Sequence, residues 1–221
     1  AALGTGLLAG WAPPALAAPT SPATVVPRPV ILPRSAWAGS SCPVRGALKA
    51  ETDVRFLLVH HTAGKNKYSK ADVPSMLRGW YHYHTGSAKK WPDIAYNFLI
   101  DKYGRIWEGR KGSLAGAVRG SATGGSQGFD QKICFMGTFD KITPTPAAMD
   151  AAVALIAWLA ARYEVDLEAG KTITFTSRGS NRWKKGVRVT TRPVAGHREM
   201  SMTTCPGTKL YPLIGSQLTP R

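Results

Sequence analysis

Apolar and polar positions recur along this chain with periods that change from segment to segment, and the changes outline its elements. VRFLLVH at 54–60 is a short, nearly continuous apolar run, the pattern of a strand buried on both faces. From 71 to 84, Val73, Leu77, Trp80 and His84 recur at spacings of four, three and four, which predicts a helix with one buried face. Pro74 falls in its first turn, where a missing N–H is tolerated. IAYNFLIDKYGRIWEGR at 94–110 predicts a hairpin: Ile94, Tyr96, Phe98 and Ile100 alternate with Ala95, Asn97 and Leu99, and Asp101 to Gly104 supply the turn. A Gly-rich loop over 112–128 then leads to a strand near 132–138. Thr145 and Pro146 suit the N-cap and first position of a helix reaching about 163, with Met149, Val153, Ile156, Ala160 and Tyr163 as its face. The segment 172–190 reads as basic and irregular, and a strand near 191–196 delivers His197. Strands mixed with helices, and no visible repeat, indicate a single α/β or α+β domain.

The first residues break this pattern. LGTGLLAGWAPPALAAP at 3–19 is apolar, rich in small residues, and carries Ala15-Leu16-Ala17, an A-x-A-like cleavage signal. Residues 1–17 therefore read as the remnant of a signal peptide, and the protein as secreted. Pro13, Pro14 and the shortness of the run argue against a membrane span. Five prolines between Pro19 and Pro33 make 18–33 an extended linker, leaving 34–221 as the domain.

Charge narrows the partners. With 29 Lys and Arg against 13 Asp and Glu, the net charge of +16 calls for polyanionic surroundings: nucleic acid, an anionic membrane, or a cell wall. No recognition-helix signature, aromatic RNA-binding motif or zinc-finger spacing is present, which argues against nucleic acid. Basic residues concentrate in TSRGSNRWKKGVR at 176–188, where Trp183, Lys184 and Lys185 read equally as a contact for a wall polymer or as a plain solvated basic loop.

Two short segments carry candidate chemistry. LVHHTAG at 58–64 holds a histidine pair, and AGHREMSMTTCPG at 195–207 holds His197 and Cys205. Imidazole and thiolate are preferred zinc ligands, and three of them plus a water make the open site of zinc hydrolases. Neither segment supplies the CxxC of a closed structural site. Adjacent residues on a strand point to opposite faces, so only one of His60 and His61 can join such a site, and period alone does not say which. With Cys205 on a metal, Cys42 and Cys134 are left as a candidate disulfide pair, and sequence does not fix the distance between them.

Taken in order, LVHHTAG, PDIAYNFLIDKYGRIWEGR, a Gly-rich loop leading to a strand and Gly137, and GHREMSMTTCPG resemble the zinc-dependent N-acetylmuramoyl-L-alanine amidases of the peptidoglycan recognition protein type. The resemblance spans about 34–215. It implies a central mixed β-sheet flanked by helices, with zinc at the floor of a groove. It further implies that Zn2+ is held by His60, His197 and Cys205, with His61 packed or hydrogen-bonded elsewhere. Tyr96 and Thr203 are the implied catalytic residues, donating hydrogen bonds where negative charge develops. His84, Trp80 and Asn97 are the expected substrate contacts, while Glu108, Arg110 and Glu199 hold local structure. The implied reaction is hydrolysis of the amide between N-acetylmuramic acid and L-alanine in peptidoglycan by a zinc-activated water. Peptidoglycan is the expected partner, with anionic wall polymers as further ones. A non-catalytic peptidoglycan-binding module on the same fold is the alternative. One departure stands out: Gly116-Ala117-Val118 carries valine where the family commonly has the histidine of a GAH-like motif.

Overall fold

The computed structural model describes residues 26–123 and 128–219. The expected export segment at 1–17, and the linker up to residue 25, lie outside the described residues. The far end of the linker does not: Ile31–Leu32 forms strand β1 of the main sheet.

That sheet has six strands. With β2 at Phe56–His61, β3 at Phe98–Ile100, β4 at Ile106–Glu108, β5 at Asp130–Phe135 and β8 at Val194–Gly196, the order is β1-β4-β3-β5-β2-β8. β3 and β4 pair antiparallel and every other neighbouring pair is parallel, which makes the sheet mixed. β2 lies between β5 and β8 and is buried along its whole length, as its unbroken apolar run requires.

Alternation sorts the side chains onto two faces. Leu57, Val59, Phe98, Ile100, Ile133, Phe135 and Val194 share one core with helix α3, Pro146–Tyr163. The hydroxyl of Thr145 accepts from Ala148 N at 3.2 Å and caps that helix as its sequence predicts. Its buried face differs from expectation. Ala152, Leu155, Ile156 and Leu159 are inside, whereas Val153 is 43% exposed. The helix is apolar almost all round, so periodicity leaves its rotation open; small Ala152, fully buried in this core, turns Val153 outward. The opposite face is covered by helix α2, Val73–Thr85, with the short α1, Ser35–Ala38, beside it.

Three further elements depart from the sequence reading. The hairpin strand begins at Phe98 rather than Ile94; residues 94–97 are wholly buried, so their alternation is not an inside–outside one. The segment 172–190 is not irregular: β6, Ile173–Thr176, pairs antiparallel with β7, Arg188–Thr191. Phe175 and Val189 point inward from that ribbon onto Phe56, Leu58 and Met200, a short alternation masked in the sequence by the basic tip between them. Finally, Pro193 splits the strand expected over 191–196 into the end of β7 and the start of β8. The Cys42–Cys134 pairing is also corrected. Both are free, buried thiols acting as small apolar residues of the α2-side core.

One buried ion pair ties the entry of the domain to the loop before β3. Arg34 donates to Asp93 through Nη2 (2.6 Å) and Nε (3.3 Å), and Asp93 also accepts from Ile94 N and Lys111 N at 2.8 and 2.9 Å. Asp93 is fully buried. Asp93→Ala strands a buried guanidinium and two amide donors at once, so urea denaturation should show a loss of about 3–5 kcal/mol. A loss under about 1 kcal/mol would mean that water reaches the site and replaces the carboxylate.

Candidate metal centre

Two of the three predicted ligands, His60 and His197, come from the carboxyl ends of adjacent parallel strands, the usual position of a site in a sheet of this kind, and Cys205 comes from the turn that follows. His60 is the penultimate residue of β2. Register sets Val59 opposite Gly196, the last residue of β8, so the next residue, His197, emerges beside His60. Their rings lie 4.3 Å apart. His197 opens α4, His197–Met200, and the chain then turns back, closed by Arg198 N donating to Cys205 O at 2.9 Å. That return brings Cys205 Sγ to 3.8 Å from His60 Nδ1. One ligand atom from each of His60, His197 and Cys205 lies within 4.8 Å of the others.

His61 takes no part in the cluster through its ring. It points to the α3 side, where Nδ1 accepts from Phe139 N at 3.4 Å, while its backbone N–H donates to Cys205 Sγ at 3.3 Å. The donor set fits a metal ion on its own chemistry. His60 Nε2 and both ring nitrogens of His197 are buried with no hydrogen-bond partner, a costly arrangement unless a ligand takes them up. Two borderline nitrogens and a soft sulfur suit zinc, and no carboxylate competes in the cluster.

Burial sets the protonation states. It lowers the His60 pKa well below the ordinary imidazole value, with help from the nearby charges of His197 and Lys132. The same cause brings His197 down to about 4. Cys205 is pushed up to about 12 by burial, against the pull of the His61 N–H. Without a metal, then, both imidazoles are neutral at pH 7 and the thiol keeps its proton.

Tyr96 stands beside the cluster, its ring 5.2 Å from that of His60. Burial, followed by repulsion from Cys134 and Cys205, raises its phenol well above the usual value, so it stays a hydrogen-bond donor. Gly109 makes its placement feasible: a Cβ there would come within 2.4 Å of Tyr96 O. Thr203 is exposed at the opposite rim, its Oγ1 accepting from Cys205 N at 3.2 Å, which leaves its own proton free to point outward.

Two adjoining hollows of about 420 and 330 Å3 meet at Tyr83, His84 and Tyr96. Thr62 and Trp80 line the first; His197 and Thr203 line the second. A hollow of about 690 Å3, bordered by Lys49, Arg110 and Arg119, continues past Trp91 and Ala122. His84 is fixed at the floor by Ala95 N, which donates to its Nδ1 at 3.2 Å, and burial brings its pKa down to about 4. Asn97 is corrected. It is fully buried, donating to Ser113 Oγ and Val118 O and accepting from Lys132 N, so it fastens the loop that carries Val118 and cannot touch a substrate. Trp91 and the basic end of the groove went unread in the sequence, although Trp91 directly precedes the PDIAYNF segment. Glu108 accepts from Arg34 N, Gly112 N and Leu114 N, Arg110 donates to the carbonyls of Ile94 and Arg119, and Glu199 accepts from Gly196 N. Each of the three spends its polar atoms on the framework.

The domain is thus a mixed sheet with helices on both faces and a His–His–Cys cluster, able to hold a metal ion, at its carboxyl edge. The family model described as N-acetylmuramoyl-L-alanine amidase matches residues 50–208, and the chain belongs to that family. Peptidoglycan recognition protein 1 of Mus musculus is 32% identical over 190 residues, covering 84% of this chain and 86% of its own length. Human PGRP-IBETAC, solved in complex with glycosamyl muramyl pentapeptide, aligns with a TM-score of 0.58 at 29% identity over 84% of this chain and 94% of its own. The N-acetylmuramoyl-L-alanine amidase LysC from Clostridium intestinale URNW shares the fold, with a TM-score of 0.57 at 20% identity over 82% of this chain and 91% of its own.

These protonation states generate a test. Zinc uptake by the metal-free protein at pH 7 has one proton to expel, that of Cys205. Calorimetry in buffers of different ionisation enthalpy should return about one proton released per ion, with affinity rising about tenfold per pH unit between roughly pH 6 and 8. Release of none would remove Cys205 from the donor set, and His197→Ala should abolish tight uptake.

Proposed function

We propose that this protein hydrolyses the amide bond between N-acetylmuramic acid and L-alanine in peptidoglycan, with Zn2+ held by His60, His197 and Cys205. The observation that carries the reading is the assembly of all three donor side chains in one buried cluster, beside a neutral phenol and at the floor of an open groove. Zinc bound there would supply Lewis acidity toward the lactyl carbonyl and lower the pKa of water toward about 7.

The chain's own residues supply the rest. Water adds to the lactyl carbonyl carbon, the C–N bond breaks, and the amine of L-alanine leaves with a proton that originates from the water. The Tyr96 O–H and the Thr203 O–H donate to the oxygen on which negative charge develops, each already oriented by its surroundings. Trp80 and His84 form an apolar floor that keeps bulk water from the reacting carbonyl. The +16 charge favours adhesion to a wall rich in carboxylates and phosphates, which supports a secreted, wall-associated protein. A second reading, a recognition module that binds peptidoglycan without cleaving it, draws on the name of the mouse relative and on Val118 in the groove loop.

Mass spectrometry of purified peptidoglycan after incubation separates the two. The amidase releases stem peptides with free L-alanine amino ends, and a zinc chelator stops the release. Intact stems on sacculi that bind the protein tightly would establish the recognition module instead. Tyr96→Phe should lower turnover by about 100-fold with metal content unchanged; full turnover would remove the phenol from the reaction. Cys205→Ala should lose zinc and cleavage while still binding sacculi, because the groove walls do not depend on the sulfur.

A further inference from the structure

The basic segment at 176–188 is the motif that the amidase reading leaves unused. Its tip is docked on the protein rather than held out from it. Ser180 Oγ donates to Met200 O and Trp183 Nε1 to Glu199 O, both at 2.7 Å, and Met202 N donates to Asn181 Oδ1 at 2.9 Å. Trp183 therefore anchors the β6–β7 ribbon to α4 and is partly buried. Docking delivers its neighbour Arg182 to the rim of a separate cavity of about 270 Å3, on the far side of Thr203 from the groove.

This cavity is built for an anion. The Arg198 guanidinium lies over the Tyr211 ring, 4.5 Å from its centroid, and donates to Thr204 O. Its Nε is shielded from solvent and has no partner. Thr203, Thr204 and Thr208 line the remaining wall. The single carboxylate present, Glu199, is already engaged by Arg192 (2.6 Å), Gly196 N (2.8 Å) and Thr191 Oγ1 (3.2 Å). Among the described residues, neither Arg182 nor Arg198 has a carboxylate within ion-pair distance. Two guanidinium groups facing hydroxyl-bearing walls match a tetrahedral phosphate, whose oxygens point in several directions at once, better than a planar carboxylate.

We propose that this cavity is a phosphate subsite, taking a phosphodiester carried by the wall polymer whose amide lies in the groove. The assignment rests on the wall-directed reading above. Thr203 borders both hollows, so one substrate can reach both. The sugar that bears the lactyl amide also has a primary hydroxyl through which a phosphodiester can be attached.

The test is calorimetric binding of a short poly(glycerol phosphate) to the full chain at physiological ionic strength, where diffuse attraction is screened. The wild type should bind it. R182Q should weaken binding roughly tenfold and R182Q/R198Q should abolish it. K184Q/K185Q removes equal charge from the exposed tip outside the cavity, and should change affinity less than about twofold. Thermal melts check that R182Q, altered at an exposed position, keeps the fold. Equal losses in K184Q/K185Q, equal binding of a polyglutamate of matched charge, or no binding by the wild type would each overturn the subsite. Hydrolysis of phosphate-stripped peptidoglycan by the wild type, run in parallel, reports the amidase alone. Failure there with polymer binding intact sinks the proposed reaction and leaves the phosphate site standing.

Discussion

The site depends on the register with which β2 lies between two parallel neighbours. Pairing of β2 with β8 puts Val59 opposite Gly196, so the chain leaves β8 with His197 beside His60. Pairing with β5 puts Cys134 opposite His60 and fills the floor with a small side chain. A slip of one residue would send His61 to the groove and His60 to the α3 core, because strand side chains alternate faces. The slip is opposed along the whole strand: Leu57 and Val59 bury themselves with α3, while Phe56 and Leu58 bury themselves with Phe175 and Met200. Hydrophobic pattern, not metal chemistry, thus chooses which histidine faces the cluster.

Around the cluster, polar groups are paired with care. Asp93, Glu108, Arg110, Asn97 and Glu199 each bind several framework atoms. The ring nitrogens of His60 and His197 are the contrast: buried, held neutral, and in large part unpartnered. The chain satisfies the Asn97 amide with three partners yet leaves three imidazole nitrogens in one cluster without any. The low dielectric that depresses the imidazole pKa values also strengthens any charge interaction with a bound cation.

Much of this was legible in the sequence where local pattern and burial agree. The run at 54–60 gave a buried strand, the four-three-four spacing gave α2, and Thr145-Pro146 gave the start of α3 with its cap. The misreadings share a physical cause: the sequence presents composition, while neighbours decide orientation. Val153 is as apolar as Ile156 but faces solvent, since a helix that is apolar almost all round is turned by its fit against the sheet. Asn97 lies in the motif that carries Tyr96, yet its amide is consumed by the Val118 loop, a contact 21 residues away. Trp183 sits in a basic run and still buries its indole N–H on Glu199 O. The three metal-ligand candidates could be named because the order of short motifs brought a family resemblance; spacing alone left His60 and His61 equivalent.

A fold of this kind can serve recognition or catalysis because its stability does not pass through the cluster. The sheet, both flanking cores and the Arg34–Asp93 pair are complete without Cys205, whose sulfur accepts from His61 N, donates to His61 O and lies beside the His60 ring. Losing that sulfur would cost the frame little and leave the groove walls in place. Retention of the full donor set is therefore not something that folding demands. Nor is the position of the donors: Cys205 returns through a turn held by Arg198 N and braced by Thr203 Oγ1, a local arrangement that serves no large core. The thiol held 3.8 Å from an imidazole, with a backbone N–H at 3.3 Å as its one closer partner, is an arrangement of donors that a metal ion could take up together.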